Sequence, residues 1–212
     1  MPFGAAETLA VHEILSEKIC MLDHFSFYMS QCQDPALRQM IQRHMQTAIQ
    51  SYNQLVTYTH DYRQAPPLRM GNTSVSPQDI QYGLRNPSPE SPSMPTMRFS
   101  DKQIAGAMLS NHKNSAKNQM SAATECADPN VRQMLMSGSV TCCNQSYEVF
   151  LYMNQRGWYQ VPTLQDHTAK TMLHHYQPTN QGYPGQSAGM STSMLQQSRP
   201  TQMQYMGNPM LM

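Results

Sequence analysis

The chain has 212 residues, a formal net charge of +1 and only 13% charged side chains. That length suits one domain with an appendage, and the near-neutral balance offers no attraction to nucleic acid or an anionic membrane. No run of 18 apolar residues occurs, so no membrane span is expected, and the N-terminus lacks the basic-then-apolar order of a secretory signal.

In chain order the sequence predicts a first helical hairpin over residues 1–62, a Pro- and Ser-rich crossover over 63–98, a second hairpin with a closing segment over 99–176, and a disordered Gln- and Met-rich tail over 177–212. In the first helix His12, Leu15, Ile19, Leu22 and Met29 form the predicted inward stripe. In the second, Leu37, Ile41, His44, Ala48, Tyr52, Leu55 and Thr59 recur at three- and four-residue steps, the mark of one buried face. Asp34-Pro35 places an N-cap acceptor before a proline at the first helical position. The crossover could start a short helical turn at Ser76-Pro77-Gln78-Asp79-Ile80. Ser100 with Gln103 makes a capping box ahead of Ile104 and Met108. Asp128-Pro129 opens the fourth helix, and Gly157 after Gln155-Arg156 is a left-handed stop.

The two hairpins are related. The run from Cys32 to Ile41 returns from Cys126 to Leu135, with Cys, Asp-Pro and Arg-Gln-Met in the same order, and Gln50-Ser51-Tyr52 answers Gln145-Ser146-Tyr147. A crossover of this length can run the full length of a bundle, which selects a ferritin-like connection over simple up-down-up-down order.

The opening Ser100-Asp101-Lys102-Gln103-Ile104-Ala105 and the closing Tyr152-Met153-Asn154-Gln155-Arg156-Gly157-Trp158-Tyr159-Gln160-Val161-Pro162 resemble the spore coat F domain. In the first half, Phe3-Gly4-Ala5-Ala6-Glu7 and His12-Glu13-Ile14-Leu15 resemble related coat proteins of the ferritin-like group, which carry two His-Glu pairs. The resemblance implies an all-α, ferritin-like four-helix bundle. It also implies a structural component of the endospore coat, made in the mother-cell cytoplasm and assembled with other coat proteins. Two departures matter: Ala6 stands where the pattern has His, and residues 136–144 lack the Glu and His that relatives often carry.

A di-iron bundle needs a Glu from each of two helices and Glu-x-x-His from each of the others. The second and fourth helices lack that spacing, so neither enzymatic activity nor a cofactor is expected. His12, Glu13, Glu17 and His44 are the residual metal candidates, with His112 on the third helix. Three arrangements stay open for the histidines: hydrogen-bonded interior side chains, a degenerate single-metal site, or solvent-facing groups. The corresponding alternative function is a metal-binding or redox protein with a degenerate site.

Arg156, Gly157, Trp158 and Tyr159 are expected to cap the bundle end or to dock a coat partner. The five cysteines, Cys20, Cys32, Cys126, Cys142 and Cys143, show no C-x-x-C spacing and read as buried thiols, with crosslinking through Cys142 and Cys143 as the alternative. The tail, poor in charge and aliphatic residues, reads as adhesive: Met, Tyr and Gln allow weak multivalent self-association. Its Gln residues, Tyr183 and Tyr205 are crosslinking candidates.

Overall fold

A computed structural model describes residues 3–61, 79–86, 89–92 and 98–178. It contains α1 (Ala5–Gln31), α2 (Pro35–Asp61), α3 (Asp101–Thr124), α4 (Pro129–Gln155) and a short α5 (Asp166–His174). Among the described residues no strand forms beyond isolated bridges of Tyr82 and Gly83 to Val161. The expected turn at Ser76 and the expected tail beyond Pro178 lie outside the described residues. The described residues up to Thr163 form one unit and those from Leu164 onward another. Within the second unit, α5, which the sequence reading did not anticipate, buries no residue.

The helices begin and end where local chemistry dictates. The Asp34 carboxylate accepts from the Ala36 N–H at 2.8 Å, and Asp128 accepts from Asn130 and Val131 at 2.8 and 3.0 Å. Each proline that follows has no N–H to lose. Ser100 and Gln103 cap each other reciprocally at the start of α3. At the end of α4, Gly157 adopts φ +71°, and the Trp158 N–H returns to the Met153 carbonyl at 2.9 Å. A side chain at that φ would be strained, so glycine suits the turn.

The four long helices form an antiparallel bundle in which α1 neighbours α2 and α3, and α4 neighbours α2 and α3. The turn before α2 meets the start of α3, through Asp34 N–H to Asp101 at 3.0 Å. The turn before α4 meets the start of α1, through Asp128 N–H to Glu7 at 2.9 Å. α2 and α3 therefore run parallel. By Gln81, whose N–H reaches Asn154 at 2.8 Å, the chain has returned to the end where α3 starts. One crossover spanning the bundle, roughly 40 Å for a 27-residue helix, is the ferritin-like connection.

Two apolar clusters fill the bundle. One includes Met21, Phe25, Leu37, Ile41, Ile104, Met108 and Val149; the other includes Val11, Ile14, Leu55, Val131 and Leu135. The α3–α4 contact is the most extensive. Its small residues Ser115, Ala116, Gly138 and Ser139 let the backbones approach, and Ser139 donates to the Ala116 carbonyl at 2.7 Å.

The inward face of α1 differs from the expected stripe. It is Glu7, Val11, Ile14, Lys18, Met21 and Phe25, while His12 is exposed and Ile19 is 47% exposed. The helix is rotated by about one residue because two polar side chains, Glu7 and Lys18, are buried and break the apolar pattern. In α2 the expected face holds at Leu37, Ile41, His44, Ala48 and Leu55, with Met40 and Tyr58 added and Tyr52 and Thr59 half-buried.

Candidate functional site

Between the apolar clusters lies a polar layer. α1 contributes Lys18, α2 His44, α3 His112, Ser115 and Gln119, and α4 Ser139 and Cys142, all buried. His44 Nε2 meets the Glu148 carboxylate at 2.9 Å, and His44 Nδ1 meets His112 Nε2 at 3.0 Å. Arg43 also pairs with Glu148. The hydrogen bond from His44, opposed by burial and helped by Arg43, holds the Glu148 carboxyl below its usual range. In the neutral pair the carboxylate fixes the Nε2–H tautomer of His44, so His44 Nδ1 accepts from His112. That leaves His112 Nδ1 buried without a hydrogen-bond partner. Burial, with His44 and Lys18 nearby, pushes the His112 imidazole well below its ordinary value. Burial also lowers Lys18, against the pull of Cys142 and Glu17, and raises Cys142.

Of the sequence candidates for a metal, His44 and His112 lie in this layer, and Cys142 joins them. His12 and Glu13 are exposed, and Glu17 accepts from Asn118 on the bundle surface at 2.9 Å. The inward position expected of His12 is therefore corrected: a turn of one residue in α1 carries His12 outward and Lys18 inward. Glu148, absent from the residue window that pointed to a lost site, supplies the partner of His44. The layer does not fit a pair of metal ions. Two cations need several anionic ligands, and this interior offers a lysine, a glutamine, a thiol and two imidazoles already paired to each other and to Glu148.

The second cluster closes the bundle where α4 ends. The Arg156 guanidinium lies 3.6 Å from the centre of the Tyr152 ring and 5.8 Å from that of Trp158, and it pairs with Asp34 at 2.6 Å. Trp158 meets Tyr152 edge-on at 5.8 Å and packs against the apolar cluster. Tyr159 meets Phe150 edge-on at 5.2 Å and receives the Lys113 ammonium over its ring at 5.0 Å. Asn154 Nδ2 donates to the Tyr159 and Gln81 carbonyls, both at 3.0 Å, joining the closing turn to the incoming crossover.

Sequence reading missed a third set of residues, related by the internal repeat. Tyr152 donates to Asp34 at 2.8 Å, and Tyr58 donates to Asp128 at 2.9 Å. Asp101 accepts from the turn before α2, and Glu7 from the turn before α4. A shift of 94 residues maps Glu7 to Asp101, Asp34 to Asp128 and Tyr58 to Tyr152. Extending the Cys32/Cys126 alignment at that shift in both directions exposes this pattern.

Of the thiols, Cys32 and Cys142 are buried and Cys126 is half-buried, whereas Cys20 and Cys143 are exposed, which corrects the expectation that all five are interior. Burial first, then nearby carboxylates, push the Cys32 and Cys126 thiols up to about 11.

The described residues thus form a helical bundle of two related hairpins with α2 and α3 parallel, and among them no ligand set of a di-metal centre is brought together. The Coat F domain family model matches residues 100–162, the span of α3, α4 and the closing turn, so this segment is similar to a Coat F domain. The Spore coat protein F-like protein YhcQ of Bacillus subtilis (strain 168) is 28% identical over 189 residues, covering 88% of this chain and 86% of its own. The crystal structure of a provisionally assigned spore coat protein from Bacillus halodurans C-125 covers 78% of this chain and 97% of its own, with 16% identity and a TM-score of 0.57. That likeness shows a shared fold.

Proposed function

We propose that this chain is a structural component of the bacterial endospore coat, working through protein–protein contacts and not through catalysis. The observation that carries the reading is that the Coat F match coincides with one complete hairpin and its closing turn. The similarity to the Bacillus subtilis relative along nearly the whole of both chains supports it. The lysine and paired imidazoles in the interior support a bundle that keeps the fold without oxidase chemistry. Its partners are other coat proteins, with self-association contributing, and exposed Cys20 and Cys143 are available for links between chains. Extraction of purified spores carrying a tagged chain tests the assignment. Recovery in the coat extract is expected, with release increased by reductant if the exposed thiols form links. Recovery confined to the soluble cytosol contradicts the assignment.

A further inference from the structure

On its way to α3 the crossover is held at the bundle end by a clamp that contacts its backbone. Asn154 accepts from the Gln81 N–H at 2.8 Å and donates to the Gln81 carbonyl at 3.0 Å. Gln160 treats Arg85 in the same way, accepting from its N–H at 2.5 Å and donating to its carbonyl at 2.9 Å. Between them the Gly83 N–H donates to the Val161 carbonyl at 2.9 Å. Residues 81, 83 and 85 thus bond to the clamp, while the alternate residues Tyr82 and Leu84 are 58% and 68% exposed. A carboxamide offers a donor and an acceptor side by side, as a peptide group does, so Asn154 and Gln160 stand in for a neighbouring strand.

The two sides of this contact are not built alike. Asn154 is 2% exposed in the last turn of α4 and also donates to the Tyr159 carbonyl, so its amide is aimed by the helix end itself. Gln160 and Val161 follow the turn that Gly157 sets. None of the clamp bonds uses a side chain of residues 81–85, and Gln81 Oε1 is buried without a partner. The sequence demand falls on Gly83, whose φ of +94° suits glycine. Asn154, Gln160 and Val161 therefore make a preformed site for a peptide backbone with glycine at its centre.

We propose that this site can exchange its occupant, taking residues 81–85 of a second copy in place of the chain's own. Bonds to backbone atoms are the same in both arrangements, which is the condition for swapping an element between copies at low cost. Gln81 comes 20 residues after Asp61, and Asp101 comes 16 residues after Arg85, reaches of roughly 65 and 50 Å when extended. Both exceed the roughly 40 Å of a 27-residue helix, so a copy approaching this end is within range. Two reciprocal exchanges close a two-fold dimer joined at the ends where α3 begins. The inference deepens the reading of the chain as a self-associating coat component and rests on it.

A fluorescent peptide spanning residues 78–87 probes the site on the full chain. Gly83→Pro removes both the N–H and the positive φ, which unseats the chain's own segment and frees the clamp. Anisotropy should show the peptide binding Gly83→Pro at least about tenfold more tightly than wild type, whose clamp is filled at high effective concentration. Adding Gln160→Ala should weaken that binding about tenfold, with helix content by circular dichroism unchanged. Native mass spectrometry of mixed copies then reads the exchange. Gly83→Pro offers a clamp without a segment, and Gln160→Ala a segment without a full clamp, so the mixture should form more heterodimer than either variant forms homodimer. Equal peptide binding by wild type and Gly83→Pro, binding indifferent to Gln160→Ala, or a mixture without excess heterodimer overturns the inference. Absence of the wild type from extracted coats contradicts the coat assignment alone, since binding and pairing are read on the purified chain.

Discussion

Tyr58 and Tyr152 each donate a phenolic hydroxyl to the aspartate that caps a helix of the other hairpin. Each bond therefore fastens one repeat to the other. Losing a hydroxyl partner in such a setting costs about 1 kcal/mol, and losing an N-cap aspartate about 1–2 kcal/mol. Tyr58→Phe and Asp128→Ala should each destabilise by those amounts in urea titrations. Their double mutant should lose less than the sum, because both remove the same bond. Fully additive losses would show that the hydroxyl does not serve the cap.

His112 sets a second expectation at this scale. In the unfolded chain an imidazole takes up its proton near about pH 6.5, whereas folded His112 does so only well below, held neutral by burial with His44 and Lys18 close by. Below about pH 6.5 the unfolded state binds the extra proton, so stability declines as pH falls. The contribution is fully present above that value. Further into acid, Asp34 and Glu148 add to the decline as pH falls through their lowered values, Asp34 held down first by the Tyr152 hydroxyl and Glu148 by His44. His112→Gln should flatten the slope between about pH 7 and 5 in equilibrium unfolding, even where absolute stability is lower. An unchanged slope would mean that His112 takes up its proton alike in the folded and unfolded chain.

Among the elements, α4 depends on a single glycine. A Cβ at Gly138 would stand 2.0 Å from the Gln119 side-chain oxygen and 3.0 Å from its carboxamide carbon. Gln119 has little freedom to move away, because it is buried and its Nε2 bonds Ser115 and Cys142. Gly138→Ala should gain about 1 kcal/mol of helix propensity but lose about 1–3 kcal/mol to overpacking, a net loss. Adding Gln119→Ala should recover most of that loss in thermal melts. A Gly138→Ala variant as stable as wild type would show that the α3–α4 contact adjusts.

How far these elements were legible depended on how local their causes are. Asp34-Pro35, Ser100 with Gln103, Asp128-Pro129 and Gly157 act within a few residues, and the helix limits follow them. The inward position of His44 was legible because its nearest neighbours on the stripe, Leu37, Ile41 and Ala48, are apolar. α1 was misread by about one residue because burial of Glu7 and Lys18 is decided by distant partners and not by the periodicity of α1 itself. The bond between His44 and Glu148 spans 104 residues, and no spacing rule within a helix reports it. α5 escaped notice because nine residues without strong caps resemble the polar segments around them.

For the whole molecule, the fold and the interior chemistry point in different directions. The bundle has a ferritin-like crossover, yet Lys18 brings a cation-forming group into the layer between its helices. Protein expressed in iron-supplemented medium should purify without a stoichiometric di-iron centre and should not accelerate oxygen consumption on addition of ferrous iron. Two tightly held iron atoms per chain, with rapid oxygen uptake, would contradict that expectation.

The role in the coat depends on location. Immunogold labelling of thin sections through mature spores is the most direct measurement. Label concentrated over the coat layers, and absent from spores lacking the chain, is the predicted result. Label confined to the spore core or the mother-cell cytoplasm would contradict it.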